Sequence, residues 1–288
     1  MLLYKYRSCD QRTREILLNR NLFFATPAYM NDPLDSSIDI EKEYERARKH
    51  ISSIDSHPDK RLSFLFFLLN SSDRFKNPDT GKKLTLNQAV HRFIQQVGIL
   101  SLSKTPKDAL LWSHYANGHK GVCLEFDSEE LMPENVFIRS EVSYLDEPPY
   151  KDIFLRLTNE LSKFVRPWDD HHHSDEEGDA FYTKQLSELM RGNLLVKSKK
   201  WSYEEEYRMI SSQSGPHSFE PKALKRVIFG CKTSASDVES IHNILGHADF
   251  AHVETCKVEH KEGTFEFEIG LTGRSTGTSR ASHVPPVN

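Results

Sequence analysis

The sequence lacks most of the features that mark metal-dependent, secreted or membrane-spanning proteins. It has only four cysteines in 288 residues, and none are paired in the Cys-x-x-Cys spacing of a zinc site. Scattered cysteines predict reduced thiols in an intracellular protein. The longest apolar run, residues 62–69, is far below the about 20 residues of a membrane-spanning helix. The polar start at residues 1–7 is not typical of a signal peptide, so we expect a cytoplasmic protein with no membrane partner.

Charge and known motifs exclude several further classes. The formal net charge of −4 gives no overall attraction to nucleic acid, so any such contact requires a local basic patch. The chain is 37% hydrophobic and 28% charged, which is typical of a globular protein. It has no Walker motif, GxGxxG, GxSxG or HExxH, which argues against common ATPases, Rossmann dehydrogenases, serine hydrolases and zincins.

The order of predicted elements favours an α+β fold. Asp10 is suited to cap a first helix, and an amphipathic pattern predicts a helix over residues 85–97. Strands are predicted in runs without strict βαβ alternation, which indicates a mixed, mainly antiparallel central sheet. We therefore predict one domain over residues 1–269, with a helical insertion at about 38–97. Residues 270–288 are nearly without apolar side chains and are expected to be disordered. Strands are predicted over residues 2–7, 22–26, 98–103, 122–127, 141–146, 206–211, 224–230, 252–258 and 264–269, and a further helix is predicted over 236–245.

Three segments are unusually rich in polar and aromatic residues: 4–7, 112–121 and 201–208. In the last of them Glu204 and Glu206 are two residues apart and would share one face of a strand, with Trp201 as a wall of the site. The alternative is that these acids are the solvated start of a strand. The turn at residues 29–35 has the same two interpretations, as a plain Asn-Asp-Pro loop or as a site.

A segment that mixes histidine with acids, residues 169–178, raises the question of metal binding. Three consecutive histidines cannot all face one ion, and the flanking acids have no regular ligand spacing. A polar loop is therefore the favoured interpretation, and no metal is predicted.

Several strings of the sequence together resemble the domain-of-unknown-function family 2971. They are YKYRS, LFFATPAYMNDPLD, GILSLSKTP, LLWSHYANGHKGVCLEFD, KSKKWSYEEEYRMI and LKRVIFG. The resemblance covers roughly residues 2–245. The layout of that family is in turn similar to a divergent ADP-ribosyltransferase fold, that of DarT-type and CmdT-type enzymes.

This second resemblance implies a set of site residues. Arg7 takes the basic position on an early strand, Tyr115 the central aromatic position, and Glu206 the late-strand glutamate, with Glu204 as the first acid of the pair. Thr26 stands in for a strand hydroxyl. The residues implied in binding NAD are Lys5, Tyr6, Thr26, Asn31, Asp32, Trp112, His114, Trp201 and Arg208.

The implied reaction is transfer of ADP-ribose from NAD to nucleic acid or protein, by a bacterial toxin or antiphage defence effector with a neutralising partner protein. A carboxylate would stabilise the positive charge that develops on the ribose, and a basic side chain would hold the pyrophosphate. Two alternatives stay open. One is a metal-dependent nuclease or phosphoesterase that uses Asp32, Asp35, Glu204 and Glu206, with His114 or His119 and a lysine such as Lys200. The other is a binding module without catalysis.

Overall fold

The computed structural model describes residues 1–36, 39–54, 75–76, 80–148, 154–155 and 191–271. The predictions for the apolar run at 62–69 and for the histidine-rich loop at 169–178 lie outside these residues. The same is true of the predicted disordered tail beyond residue 271. Its first two residues, Gly270 and Leu271, belong instead to the last strand.

Helices and strands alternate along the described chain without a simple repeat. The strands are β1 (Leu2–Arg7), β2 (Asn21–Phe24), β3 (Phe75–Lys76), β4 (Lys83–Leu84), β5 (Gly98–Ser103), β6 (Val122–Asp127), β7 (Val136–Glu141), β8 (Ser143–Leu145), β9 (Val196–Ser198), β10 (Glu206–Ser211), β11 (Gly215–Ser218), β12 (Leu224–Phe229), β13 (Glu254–His260) and β14 (Phe267–Leu271). The helices are α1 (Gln11–Asn19), α2 (Ile40–Ile54), α3 (Leu86–Gln96), α4 (Ala109–Tyr115) and α5 (Ala235–Leu245). Short 3-10 turns span Pro27–Tyr29, Lys199–Glu204, Pro221–Ala223 and Ala248–Phe250. The prediction of a mixed fold with mainly antiparallel strands is confirmed.

The helices begin where the sequence supplies a capping side chain. The Asp10 carboxylate accepts a hydrogen bond from the Thr13 amide at 2.9 Å, as predicted. Thr85 and Gln88 form a reciprocal capping box at the start of α3. Within the described part of the chain, no helix has the length and apolar composition that crossing a membrane requires.

The chain forms two compact units. Unit one consists of Met1–Asn21, Ser103–Met132 and Phe219–Asn288, and unit two of Leu22–Leu102 and Pro133–Ser218. The helices α2 and α3 of the predicted insertion both belong to unit two. The single domain over residues 1–269 stays a prediction.

Unit one contains strands in the order β14-β13-β12-β6-β1. These strands pair antiparallel except for β12 and β13, which are parallel. One face carries Phe229, whose ring contacts His242 of α5 at 5.5 Å. The other face carries Tyr6, whose ring meets Trp112 of α4 edge-on at 5.1 Å. The helices α5 and α4 therefore cover opposite faces of these strands.

Unit two contains strands in the order β5-β10-β7, with β10 and β7 antiparallel. Its apolar core includes Val97, Ile99, Ile138, Leu194, Leu195 and Ile210. Strand β8 runs parallel to β9, with Tyr144 directly opposite Lys197. This short ladder leads into the segment that carries the predicted acidic pair.

Candidate functional site

The acidic pair is positioned by a change of backbone conformation between its members. Glu204 is the last residue of the 3-10 turn, and Glu206 is the first residue of β10. Between them Glu205 adopts a left-handed conformation with φ of 43°, which a residue with a side chain rarely takes. Two residues in one extended strand would share a face by simple alternation. Here the same result comes from a sharp turn, so the predicted convergence has a different structural cause.

Both glutamates are bound to one lysine, Lys197 of β9. The Lys197 Nζ atom lies 2.5 Å from Glu204 Oε2 and 3.3 Å from Glu206 Oε2. It also lies 3.6 Å from Asp35 Oδ2. The side chains of Lys197, Glu204 and Glu206 are only 3%, 7% and 4% exposed. A single ammonium group thus joins three carboxylates away from bulk water.

Arg208 binds two of the same carboxylates from the other side. Its Nε donates to Glu206 Oε1 at 2.8 Å and its Nη2 to Glu206 Oε2 at 3.1 Å. Its Nη1 donates to Asp35 Oδ1 at 3.0 Å, and its Nη2 donates to Asp35 Oδ2. A further bond from Nη1 reaches the Leu194 carbonyl oxygen at 2.6 Å. The planar guanidinium binds each of the two carboxylates through a pair of N–H groups, a bidentate geometry that an ammonium group does not offer.

Asp35 reaches this cluster from a strained turn. The following residue, Ser36, has φ of 54°, and its hydroxyl donates to Asp35 Oδ1 at 3.0 Å. The Asn193 amide nitrogen donates to the Ser36 carbonyl oxygen at 3.0 Å. We call Asp35, Lys197, Glu204, Glu206 and Arg208 the acid–base cluster. It contains three carboxylates and two cations, a formal net charge of −1.

The neighbouring cations fix the charge on Glu206. Burial alone would raise the pKa of its carboxyl group. The charge and hydrogen bonds of Arg208 outweigh burial, with help from Lys197 and the Ser101 hydroxyl, and lower this pKa to about 2. Burial acts to lower the pKa values of Lys197 and Arg208, but the adjacent carboxylates raise both above their ordinary values. Glu206 is therefore ionised at neutral pH.

Three further side chains of unit two adjoin the cluster. The Tyr144 hydroxyl oxygen accepts a hydrogen bond from the Glu206 amide at 2.7 Å. Ser101 of β5 bonds to the Glu206 side chain. Lys197 Nζ lies 5.0 Å from the centre of the half-buried Trp201 ring, and that ring is 6.0 Å from the ring of Tyr203. Trp201 thus lies beside the lysine that binds both acids, and its role as a wall of the site stays a prediction.

The predicted residues on the loop after β2 have local roles. Thr26 precedes the 3-10 turn at Pro27–Tyr29 without a capping side-chain bond. The Asp32 carboxylate accepts from the Leu34 amide at 2.9 Å, which is ordinary turn chemistry. Asn31 also lies in this turn. The hydroxyl next to Glu206 belongs to Ser101, not to Thr26.

The remaining predicted residues lie in unit one. The Tyr6 hydroxyl donates to the Thr105 carbonyl oxygen at 2.8 Å, and the Trp112 indole donates to the Pro106 carbonyl oxygen at 2.8 Å. Both rings are buried, so they contribute to the core as well. Lys5 and Arg7 are half-buried on β1, and the Arg7 Nε reaches the Thr13 hydroxyl at 3.4 Å.

His114 is exposed and Tyr115 half-buried at the end of α4, with their rings 6.3 Å apart. The structure thus groups Lys5, Tyr6, Arg7, Trp112, His114 and Tyr115 in one unit, and Trp201, Glu204, Glu206 and Arg208 in the other. A common cleft for all of them stays a prediction.

The residues of the alternative metal site converge only in part. Asp35, Glu204 and Glu206 do converge, but Lys197 lies between them, and the exposed Lys200 does not take that place. Among the described residues, no group of three or more His, Cys, Asp or Glu side chains is arranged to hold a metal ion. The ammonium group occupies the position that a cation would need.

Sequence reasoning missed Lys197, Ser101 and Tyr144 as members of the site. A weak signal for Lys197 exists, since it lies in the run Val196–Trp201 just before the acids. Alternation along a strand would place only some of its three lysines inward. Nothing in the local sequence marks Tyr144.

Comparison with known proteins adds one match. Residues 111–209 match the family model DUF2971, a protein of unknown function. This range contains Tyr144, Lys197, Glu204, Glu206 and Arg208, but it is shorter than the span of the resemblance seen in the sequence. No curated protein matches the chain. No solved structure matches it either.

Proposed function

We propose that the protein is an NAD-dependent ADP-ribosyltransferase in which Glu206 is the principal catalytic carboxylate. The observation that carries this proposal is the convergence of Glu204 and Glu206 on Lys197, with the pKa of Glu206 lowered to about 2. Breaking the bond between nicotinamide and ribose leaves positive charge on the sugar. A fixed, ionised carboxylate stabilises that charge without reorganisation.

The two glutamates have different roles in this reaction. Nicotinamide leaves with the electron pair of the broken bond and is neutral after departure. Glu206 stabilises the ribosyl cation, and a nucleophilic atom of the acceptor then forms the new bond to the sugar carbon. Glu204 accepts the proton that this atom loses. The low exposure of both side chains limits water, which would otherwise hydrolyse the reactive sugar.

The surroundings of the acids support the same assignment. The Trp201 ring provides a flat apolar surface beside the cluster for an aromatic leaving group. Ser101 and Arg208 fix the orientation of the Glu206 carboxylate. Arg7 as the pyrophosphate ligand and Tyr115 as a stacking residue remain predictions of the resemblance. The acceptor, which is nucleic acid or protein, and the role as a toxin or defence effector are also predictions of the resemblance.

The test is transfer of label from NAD. The full chain is incubated with NAD labelled in its adenylate part and, separately, with RNA, DNA and protein pools. Glu206→Gln should reduce label transfer by about 100-fold or more, because it removes the charge that faces the sugar. Glu205→Gln makes the same chemical change at the exposed neighbour and should leave transfer unchanged. Circular dichroism spectra and melting curves establish that each variant is folded.

A second variant tests the proposal in case Glu206→Gln does not fold. Glu204→Gln leaves the bonds between Glu206 and Arg208 in place and should also lower transfer. Absence of label in all three pools with the wild type would refute the proposal, and so would unchanged transfer by folded Glu206→Gln. Magnesium-dependent cleavage of the RNA or DNA in the same incubations would select the phosphoesterase alternative.

A further inference from the structure

Tyr144 is placed beside the catalytic acids by backbone pairing. It lies directly opposite Lys197 in the parallel ladder of β8 and β9. Its hydroxyl oxygen accepts the Glu206 amide hydrogen at 2.7 Å, across 62 residues of sequence. Two independent contacts, one of the backbone and one of the side chain, therefore fix this phenol next to the acid–base cluster.

The hydrogen-bonding capacity of this hydroxyl is only partly used. A tyrosine hydroxyl has one donor hydrogen and two acceptor lone pairs. The Glu206 amide engages one lone pair, and no described residue accepts the hydroxyl hydrogen. The residue is half-buried, so the phenol is neither sealed in the core nor freely exposed. It offers an oriented donor at the edge of the cluster.

The phenol keeps its hydrogen at physiological pH. Burial is the main cause of a pKa above the ordinary value for tyrosine. The charges of Glu206 and Glu204 act in the same direction as burial, and the Glu206 amide and Arg208 oppose them only in part. Tyr144 is therefore a hydrogen-bond donor and not a general base. The ionised carboxylates beside it have no hydrogen to donate and act only as acceptors.

We infer that Tyr144 contacts the substrate and donates a hydrogen bond to a hydroxyl oxygen of the ribose that carries nicotinamide. This inference rests on the proposed function and adds a residue that recognises the sugar. Arg208, Lys197 and Ser101 already bond to the Glu206 carboxylate, so a substrate hydroxyl beside it is bound through the Tyr144 donor. A ribose that lacks this hydroxyl loses the bond to Tyr144.

The experiment compares NAD with its 2′-deoxy and 3′-deoxy analogues, modified in the ribose that carries nicotinamide. Wild-type protein and Tyr144→Phe are assayed for kcat and KM in transfer to the acceptor pool that takes label. The wild type should favour NAD over one of the analogues by about three- to tenfold in kcat/KM, the value of one neutral hydrogen bond. In Tyr144→Phe this preference should disappear for that analogue.

The comparison separates substrate contact from a structural role. Loss of the bond to the Glu206 amide would lower the rates with NAD and with both analogues by the same factor, so the ratio would not change. Tyr207→Phe is the matched control, because it removes a hydroxyl from the residue next to Glu206 and should keep the wild-type preference. An unchanged preference in folded Tyr144→Phe would overturn the inference alone. A wild type without NAD turnover would overturn the proposed function and, with it, this inference.

Discussion

The pH dependence of stability is the most direct test of the electrostatics around Glu206. The pKa of this carboxyl group is lowered from 4.5 to about 2 in the folded protein. A group with a depressed folded pKa stabilises the fold above its unfolded pKa, and that contribution is lost as the pH falls toward the folded value. The difference corresponds to about 3 kcal/mol at neutral pH. Glu206 is buried, so solvent screening does not reduce this figure appreciably.

The perturbation is Glu206→Gln, which is close to isosteric and neutral at every pH. At neutral pH the variant should be about 3 kcal/mol less stable than the wild type, because Arg208 and Lys197 lose their ionised partner. The gap should narrow as the pH falls from about 5 to about 2, since the wild-type carboxyl then becomes neutral as well. The assay is urea unfolding followed by circular dichroism across this pH range.

The control is Glu205→Gln, which changes an exposed neighbour of Glu206. Its free energy of unfolding should stay within about 0.5 kcal/mol of the wild-type value at neutral pH. A gap between wild type and Glu206→Gln that stays constant from neutral pH to about pH 2 would show that Glu206 is not held ionised by its neighbours. The proposed catalytic role would then lose its electrostatic basis.

Two further predictions concern the same site. Arg208→Met should lower the free energy of unfolding by about 3–5 kcal/mol, because it leaves Asp35 and Glu206 buried without their main partner. Arg48→Met breaks a solvent-exposed pair with Glu45 and should leave the free energy of unfolding nearly unchanged in the same urea assay. Equal losses in these two variants would contradict the importance of burial. Glu205→Gly should raise stability by about 0.5–1 kcal/mol, because glycine adopts the left-handed conformation without steric cost. A lower melting temperature for that variant would refute the strain argument.

Elements with strong local signals were predictable from sequence. Asp10 caps α1, and β10 covers the predicted residues Glu206–Ser211. The amphipathic pattern at 85–97 corresponds to α3, Leu86–Gln96. In each case neighbouring residues determine the outcome: a capping carboxylate, alternation of apolar side chains, or a repeat of about 3.6 residues.

The partners within the acid–base cluster were not predictable in the same way. Arg208 and Asp35 are separated by 173 residues, and no local sequence pattern joins them. The choice of Lys197 over Lys199 or Lys200 depends on the pairing of β8 with β9 and on the turn at Glu205. Both are properties of the folded backbone. Sequence analysis identified the acids and named Arg208 as an NAD-binding residue, but it missed Lys197 and the ion pairs that fix the charge of Glu206.

Stability alone does not account for the acid–base cluster. Buried ion pairs often contribute less to stability than apolar residues of the same size, because desolvation offsets their attraction. Two residues in left-handed conformation, Ser36 and Glu205, directly follow Asp35 and Glu204 and add further cost. Strained backbone and buried charge occur together at sites where function sets the geometry. Asp35 fits this interpretation, because it binds the Arg208 and Lys197 side chains that orient Glu206, and the proposed reaction gives it no contact with NAD.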